Sequence, residues 1–209
     1  MRAASASLMP RCTSNCATIG GISSEATRAD AEFLSKLLSS QRIQGLYHNV
    51  NMKNDKALRK HLLYLLTDGG AHLQFDDAVK DMPFNLQGKR PKGGEHSPWQ
   101  LLEHLRITLW DILEFSRDPK HASPEFPSGY WPKTEAPPDE KAWSKSAATF
   151  RAHLKGMTKL VEDDSVDLFA RIPHGEGQTV LREVLLAADH TAYHLGQLVE
   201  VRRALGAWK

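Results

Sequence analysis

Two histidines four residues apart, His190 and His194, sit inside the apolar segment Ala188-Asp189-His190-Thr191-Ala192-Tyr193-His194-Leu195-Gly196-Gln197. At about 100° per residue they lie on nearly one face of a helix, roughly 6 Å apart along its axis. Two imidazoles at that spacing can close on one metal ion. The chain has ten histidines, so an isolated pair would say little. A third histidine, His104, falls on the apolar face of another helix-forming segment. A buried imidazole without a partner is costly, and three of them around one cation would remove that cost. Three nitrogen ligands leave coordination positions open, as in a catalytic site. Spacing alone leaves another reading open, in which His104 is a partly buried histidine bonded to a backbone carbonyl.

Several chemistries are excluded by composition. Both cysteines, Cys12 and Cys16, precede residue 17. The rest of the chain therefore has no catalytic thiolate, disulfide framework or thiolate-bound metal of its own. Any metal held there needs nitrogen or oxygen ligands, and a three-histidine set suits zinc, nickel or iron. The net charge of +2 gives no reason to expect a nucleic acid partner. No run approaches a membrane span, and no continuous apolar core of signal-peptide type precedes residue 28. The expectation is a cytoplasmic protein with a small-molecule substrate and no membrane partner; a homodimer is one open assembly.

The elements that would position the histidines are helical. Residues 29–40 have the pattern of a short amphipathic helix, but clean patterning begins only after Met52. This predicts an N-terminal extension over 1–51 outside the fold, with Met52 as the true start, and one domain over 52–209. From Asn54 or Asp55, Leu58, Leu62, Leu65 and Leu66 form a stripe, with Lys56, Arg59 and Lys60 on other faces. Residues 71–81 read as a short helix around Leu73, Phe75 and Val79, and Pro83–His96 as a loop. Ser97, Pro98 and Gln100 give the clearest helix start in the chain. After it, Leu101, His104, Leu105, Thr108, Ile112 and Phe115 share a face. A Pro-rich connection over 119–138 follows, with Tyr130 and Trp131 placed to pack over the helices. The third long helix starts near Asp139 and carries a seam of Trp143, Ala147, Phe150, Leu154, Met157 and Val161. The fourth is capped at Thr179 and ends at Gly206. Its predicted core face is Val184, Leu185, Ala188, Leu195, Val199 and Leu205, flanked by Glu183, Ala187, His190, His194 and Gln197. Four long helices without a strand pattern predict an all-α antiparallel four-helix bundle, with the long Pro-rich connection between helices two and three.

The segments Ser97-Pro98-Trp99-Gln100-Leu101-Leu102-Glu103-His104-Leu105 and Asp189-His190-Thr191-Ala192-Tyr193-His194-Leu195-Gly196-Gln197-Leu198 resemble the DinB-like family. That family is related to YfiT-like metal-dependent hydrolases and to bacterial thiol-dependent S-transferases. The resemblance spans roughly Met52 to Lys209. It implies a four-helix bundle in which His104, His190 and His194 hold a divalent metal. It does not fix a reaction.

Three functions follow as expectations. The first is an enzyme joining a low-molecular-weight thiol to an electrophile, with the metal supplying the acidity the cysteine-free body lacks. The second is hydrolysis by metal-bound water. Thr191 follows His190 where a zinc protease motif would have glutamate, so a base would have to come from Glu103, Asp111, Glu183 or His174. The third is a metal-stabilised, stress-related binding module. It would have Tyr130, Trp131 or Tyr193 filling the open positions, whereas an enzyme needs a pocket reaching the metal. Asp189 should point away from the ligand face. No catalytic residue beyond the ligands is identified.

Overall fold

The computed structural model describes residues 55–208, and Glu32 before them. The chain divides into two units, Met1–Met52 and Lys53–Lys209; the helices described below belong to the second. The extension expected over 1–51, including the helix expected over 29–40, lies outside the described residues apart from Glu32.

The fold is all-α. The described helices are α1 (55–67), α2 (Phe75–Val79), α3 (Phe84–Gln87), α4 (Pro98–Arg117), α5 (Ala142–Glu162) and α6 (Val180–Ala204), with a 3₁₀ turn at Ser128–Tyr130. Among the described residues there is no strand, only an isolated bridge between Arg171 and Thr179. The α2 helix is shorter than expected, and α3 is a helical turn inside the expected loop.

Helix boundaries follow local chemistry. At the start of α4 the Ser97 side chain accepts from the Gln100 N–H, while the Gln100 side chain accepts from the Ser97 N–H. Pro98 occupies the first turn, where its missing N–H costs nothing. The helix stops at Arg117, before Pro119. The start of α5 is later than expected. The Asp139 carboxylate accepts from the Lys141 N–H at 2.8 Å, forming a turn, and the helix begins at Ala142. Thr179 caps α6 as expected. At the other end Gly206 takes φ +69°, Ala207 N–H donates to Arg202 O, and Gly206 N–H donates to Arg203 O. This is the double closure that glycine permits after a helix.

Packing fixes directions. The α4 helix packs against both α5 and α6. His104 meets His194, and Thr108 meets His190, so α4 and α6 run in opposite directions. Glu103 lies beside Ser146, and Gly156 faces Leu113, so α4 and α5 run in the same direction. This corrects the strictly antiparallel arrangement. The physical reason is the connection between them, which is long enough to return along the roughly 30 Å of a 20-residue helix.

The core contains Leu101, Leu105, Leu109, Phe150, Met157, Val184 and Leu198, all at most 2% exposed. Two expected core positions, Leu65 and Leu185, are exposed, while Glu183 and Arg202 on α6 are buried. Arg59 is buried too. Its guanidinium donates to the carbonyls of Val161 (2.8 Å), Asp163 (3.0 Å) and Val166 (2.6 Å), capping the end of α5. A cation among the unpaired carbonyls of a helix C-terminus is favourable. The short α2 is held the same way: Trp143 Nε1–H donates to Val79 O at 3.0 Å, and Arg202 to Ala78 O.

Candidate metal centre

The opposite directions of α4 and α6 bring the three histidines together. His104 Nε2 lies 3.1 Å from both His190 Nε2 and His194 Nε2. All three nitrogens fall within 4.8 Å of one another.

The opposite ring nitrogens settle the tautomers. His104 Nδ1 is 2.8 Å from the carbonyl of Tyr130. A carbonyl only accepts, so Nδ1 carries the proton and Nε2 a bare lone pair. His194 Nδ1–H donates to Gln197 Oε1 at 2.7 Å. The Thr108 hydroxyl donates to His104 O at 2.7 Å, which leaves its oxygen to accept from His190 Nδ1–H at 3.4 Å. Three lone pairs therefore face one point. A proton shared between rings is disfavoured. Burial lowers His104 to about 4 and His190 to about 3, and lowers His194 as well. Neutral imidazoles with convergent lone pairs repel unless a cation lies between them. Ligand nitrogens about 2.1 Å from a common ion sit about 3–3.5 Å apart, so the donor set fits one divalent ion. The backbone-carbonyl bond expected of a partly buried His104 is present on one ring nitrogen, and the other ring nitrogen faces His190 and His194.

The Pro-rich connection forms the cover. The Trp131 ring stacks on His104 at 3.9 Å between centroids and 2° between planes. His96 stacks on Trp131, also at 3.9 Å. Tyr193 is 63% exposed, with its ring edge-on to His194. None of these closes the site. A pocket of about 230 Å³ opens onto His104 and His190, walled by Ile112, Leu186, Phe126, Pro127 and Trp131, with Thr108 and Asp111 along α4.

The four candidate bases separate. Asp111 lines this pocket. Glu103 pairs with Arg106 at 2.8 Å, Glu183 pairs with Arg182 at 2.7 Å, and His174 Nε2–H donates to Phe115 O at 2.7 Å. None of those three lines the pocket. Asp189 is exposed, off the histidine face. Sequence reasoning missed His96, the tautomer-setting roles of Thr108 and Gln197, and the partners of Asp111. Thr108 and Gln197 were recoverable in principle, since each shares a helical stripe with a histidine.

The DinB superfamily model matches residues 72–198, more than half of the chain and all three histidines. The chain belongs to the DinB superfamily. No curated protein and no solved structure matches it. The superfamily match covers α2 to most of α6, including the connection that carries Tyr130 and Trp131. Among the described residues, no helix is long and apolar enough to cross a membrane.

Proposed function

We propose that this DinB superfamily member is a metal-dependent enzyme that transfers a small thiol to an electrophile, with His104, His190 and His194 holding zinc, nickel or iron. The four long helices α1, α4, α5 and α6 are read as one bundle around this centre. The observation that carries the proposal is the pocket of about 230 Å³ reaching two of the three histidines, in a body whose sequence has no cysteine after Cys16.

A bound divalent ion supplies Lewis acidity, lowering the pKa of a thiol or water presented to it. The chain's own residues do the rest. Tyr130 O, Thr108 Oγ1 and Gln197 Oε1 keep each Nδ1 proton in place, so each Nε2 keeps its lone pair free for a metal. Ile112, Leu186 and Trp131 wall the pocket and keep water from a bound substrate. The hydrolase reading draws on Asp111, the one candidate base that lines the pocket. Both of its oxygens already accept from side chains, the Tyr130 hydroxyl and His121, each at 2.7 Å, which favours the transferase.

The deciding experiment loads the full chain with each metal and supplies cysteine as thiol and a fluorogenic halide as electrophile. Conjugation that requires both metal and thiol, and is lost in His190→Ala with helicity kept, supports the proposal. Turnover of a test ester without thiol supports the hydrolase. Neither turnover from a metal-loaded sample supports the binding module.

A further inference from the structure

Asp111 is a buried carboxylate two helical turns beyond His104. It reaches no histidine of the centre. Its two oxygens instead hold two points of the Pro-rich connection: His121 Nε2 on Oδ1 and the Tyr130 hydroxyl on Oδ2, each at 2.7 Å. His121 also packs edge-on against Trp110, one residue before Asp111. Tyr130 is the residue whose carbonyl accepts from His104 Nδ1–H, and the next residue, Trp131, stacks on the His104 ring. The chain of contacts therefore runs from Asp111 through the Tyr130 side chain to the Tyr130 backbone, and from there to His104.

We infer that Asp111 is a positioning residue: it clasps the connection at His121 and Tyr130 so that the Tyr130 carbonyl fixes the tautomer and orientation of His104. The inference rests on the three-histidine metal reading. A buried carboxylate needs donors, and a connection with several prolines and only a 3₁₀ turn of regular structure needs an anchor to hold one carbonyl in place. Asp111 meets both needs. Outer partners that orient a ligating histidine are worth roughly 10–100-fold in metal affinity. In this chain that partner is a backbone carbonyl, and the carboxylate acts one step further out. The clasp also accounts for Asp111 lining the pocket without acting as its base.

The test uses the metal-free full chain, titrated with Co²⁺ alone, in wild type, Tyr130→Phe and Asp111→Asn. Tyr130→Phe removes one hydroxyl and keeps the ring and the carbonyl. The expected result is about tenfold weaker Co²⁺ binding in both variants, a changed cobalt visible spectrum, and an altered His104 Nδ1–H resonance in imidazole nitrogen NMR. Helicity and the thermal midpoint of metal-free Tyr130→Phe should stay near wild type. A merely structural contact would lower the midpoint and leave the cobalt spectrum unchanged. Wild-type affinity and spectrum in Tyr130→Phe overturn the clasp while the three-histidine reading stands. If Asp111→Asn does not fold, Tyr130→Phe decides alone. If the wild type binds no Co²⁺, the metal reading fails and the clasp fails with it.

Discussion

The Thr108 hydroxyl stands between His104 and His190: it donates to the His104 carbonyl at 2.7 Å and accepts from His190 Nδ1–H at 3.4 Å. One side chain on α4 thereby sets the tautomer of a histidine on α6. Thr108→Val keeps the shape and removes the acceptor, leaving a buried N–H without a partner. We expect zinc affinity to fall about tenfold and Thr108→Ser to restore most of it. Competition with a chromophoric chelator measures both. Equal affinity in wild type and Thr108→Val would remove Thr108 from the account of the centre.

The centre also predicts a pH dependence of the metal-free protein. Burial lowers His104 to about 4 and His190 to about 3, and holds His194 and His153 below the ordinary histidine value. In the unfolded chain these groups take protons near pH 6.5. Between about pH 6.5 and those lower values, the unfolded state binds more protons than the folded state. Stability is therefore full above about pH 6.5 and falls as the pH drops through that window. Urea midpoints of chelator-treated protein from pH 7.5 to pH 4.5 should decline, and His190→Gln should flatten the decline. A midpoint that rises toward acid would contradict the burial of neutral rings.

Much of this was legible in the sequence where the determinants are local. Ser97, Pro98 and Gln100 lie within four residues and announce the start of α4. The His190–His194 spacing and the apolar neighbours of His104 fix which helix faces carry the rings. What was illegible depends on distant partners. Arg59 looks like a surface cation beside Lys56 and Lys60, and only the carbonyls at the end of α5 make it buried. Glu183 and Leu185 exchange their expected places because α6 meets neighbours on more than one side. The direction of α5 relative to α4 depends on the path of the 118–141 connection, which has almost no periodicity to read. Asp111, His121 and Tyr130 are brought together by that same path.

Arg59 carries a stability prediction independent of the metal. Its guanidinium serves three carbonyls at and beyond the end of α5 and pairs with Asp55 at 2.7 Å. Arg59→Ala opens that helix end. We expect a loss of about 2–4 kcal/mol in chemical denaturation, with metal content unchanged. Arg59→Lys should recover only part of it, because an ammonium cannot span three acceptors with the geometry of a guanidinium. Unchanged stability in Arg59→Ala would show that water satisfies those carbonyls equally well.

Trp131 offers an optical readout of the centre. Its indole lies flat on His104, 3.9 Å between ring centroids and 2° from parallel. A Ni²⁺ or Co²⁺ ion at the Nε2 of that histidine would sit within a few ångströms of the indole. Open-shell metal ions quench indole emission by routes that fall steeply with distance. The chain has five tryptophans, and Trp99, Trp110, Trp143 and Trp208 make no ring stack with any of the three histidines, so Trp131 should dominate the change. Titrating metal-free protein with Ni²⁺ should quench tryptophan emission with saturation at one ion per chain, whereas diamagnetic Zn²⁺ should quench far less. Trp131→Phe should keep a stacking ring and nickel binding, as measured by equilibrium dialysis, while losing most of the quench. Nickel bound at one per chain with undiminished quenching in Trp131→Phe would put the ion beside another tryptophan, and therefore away from His104.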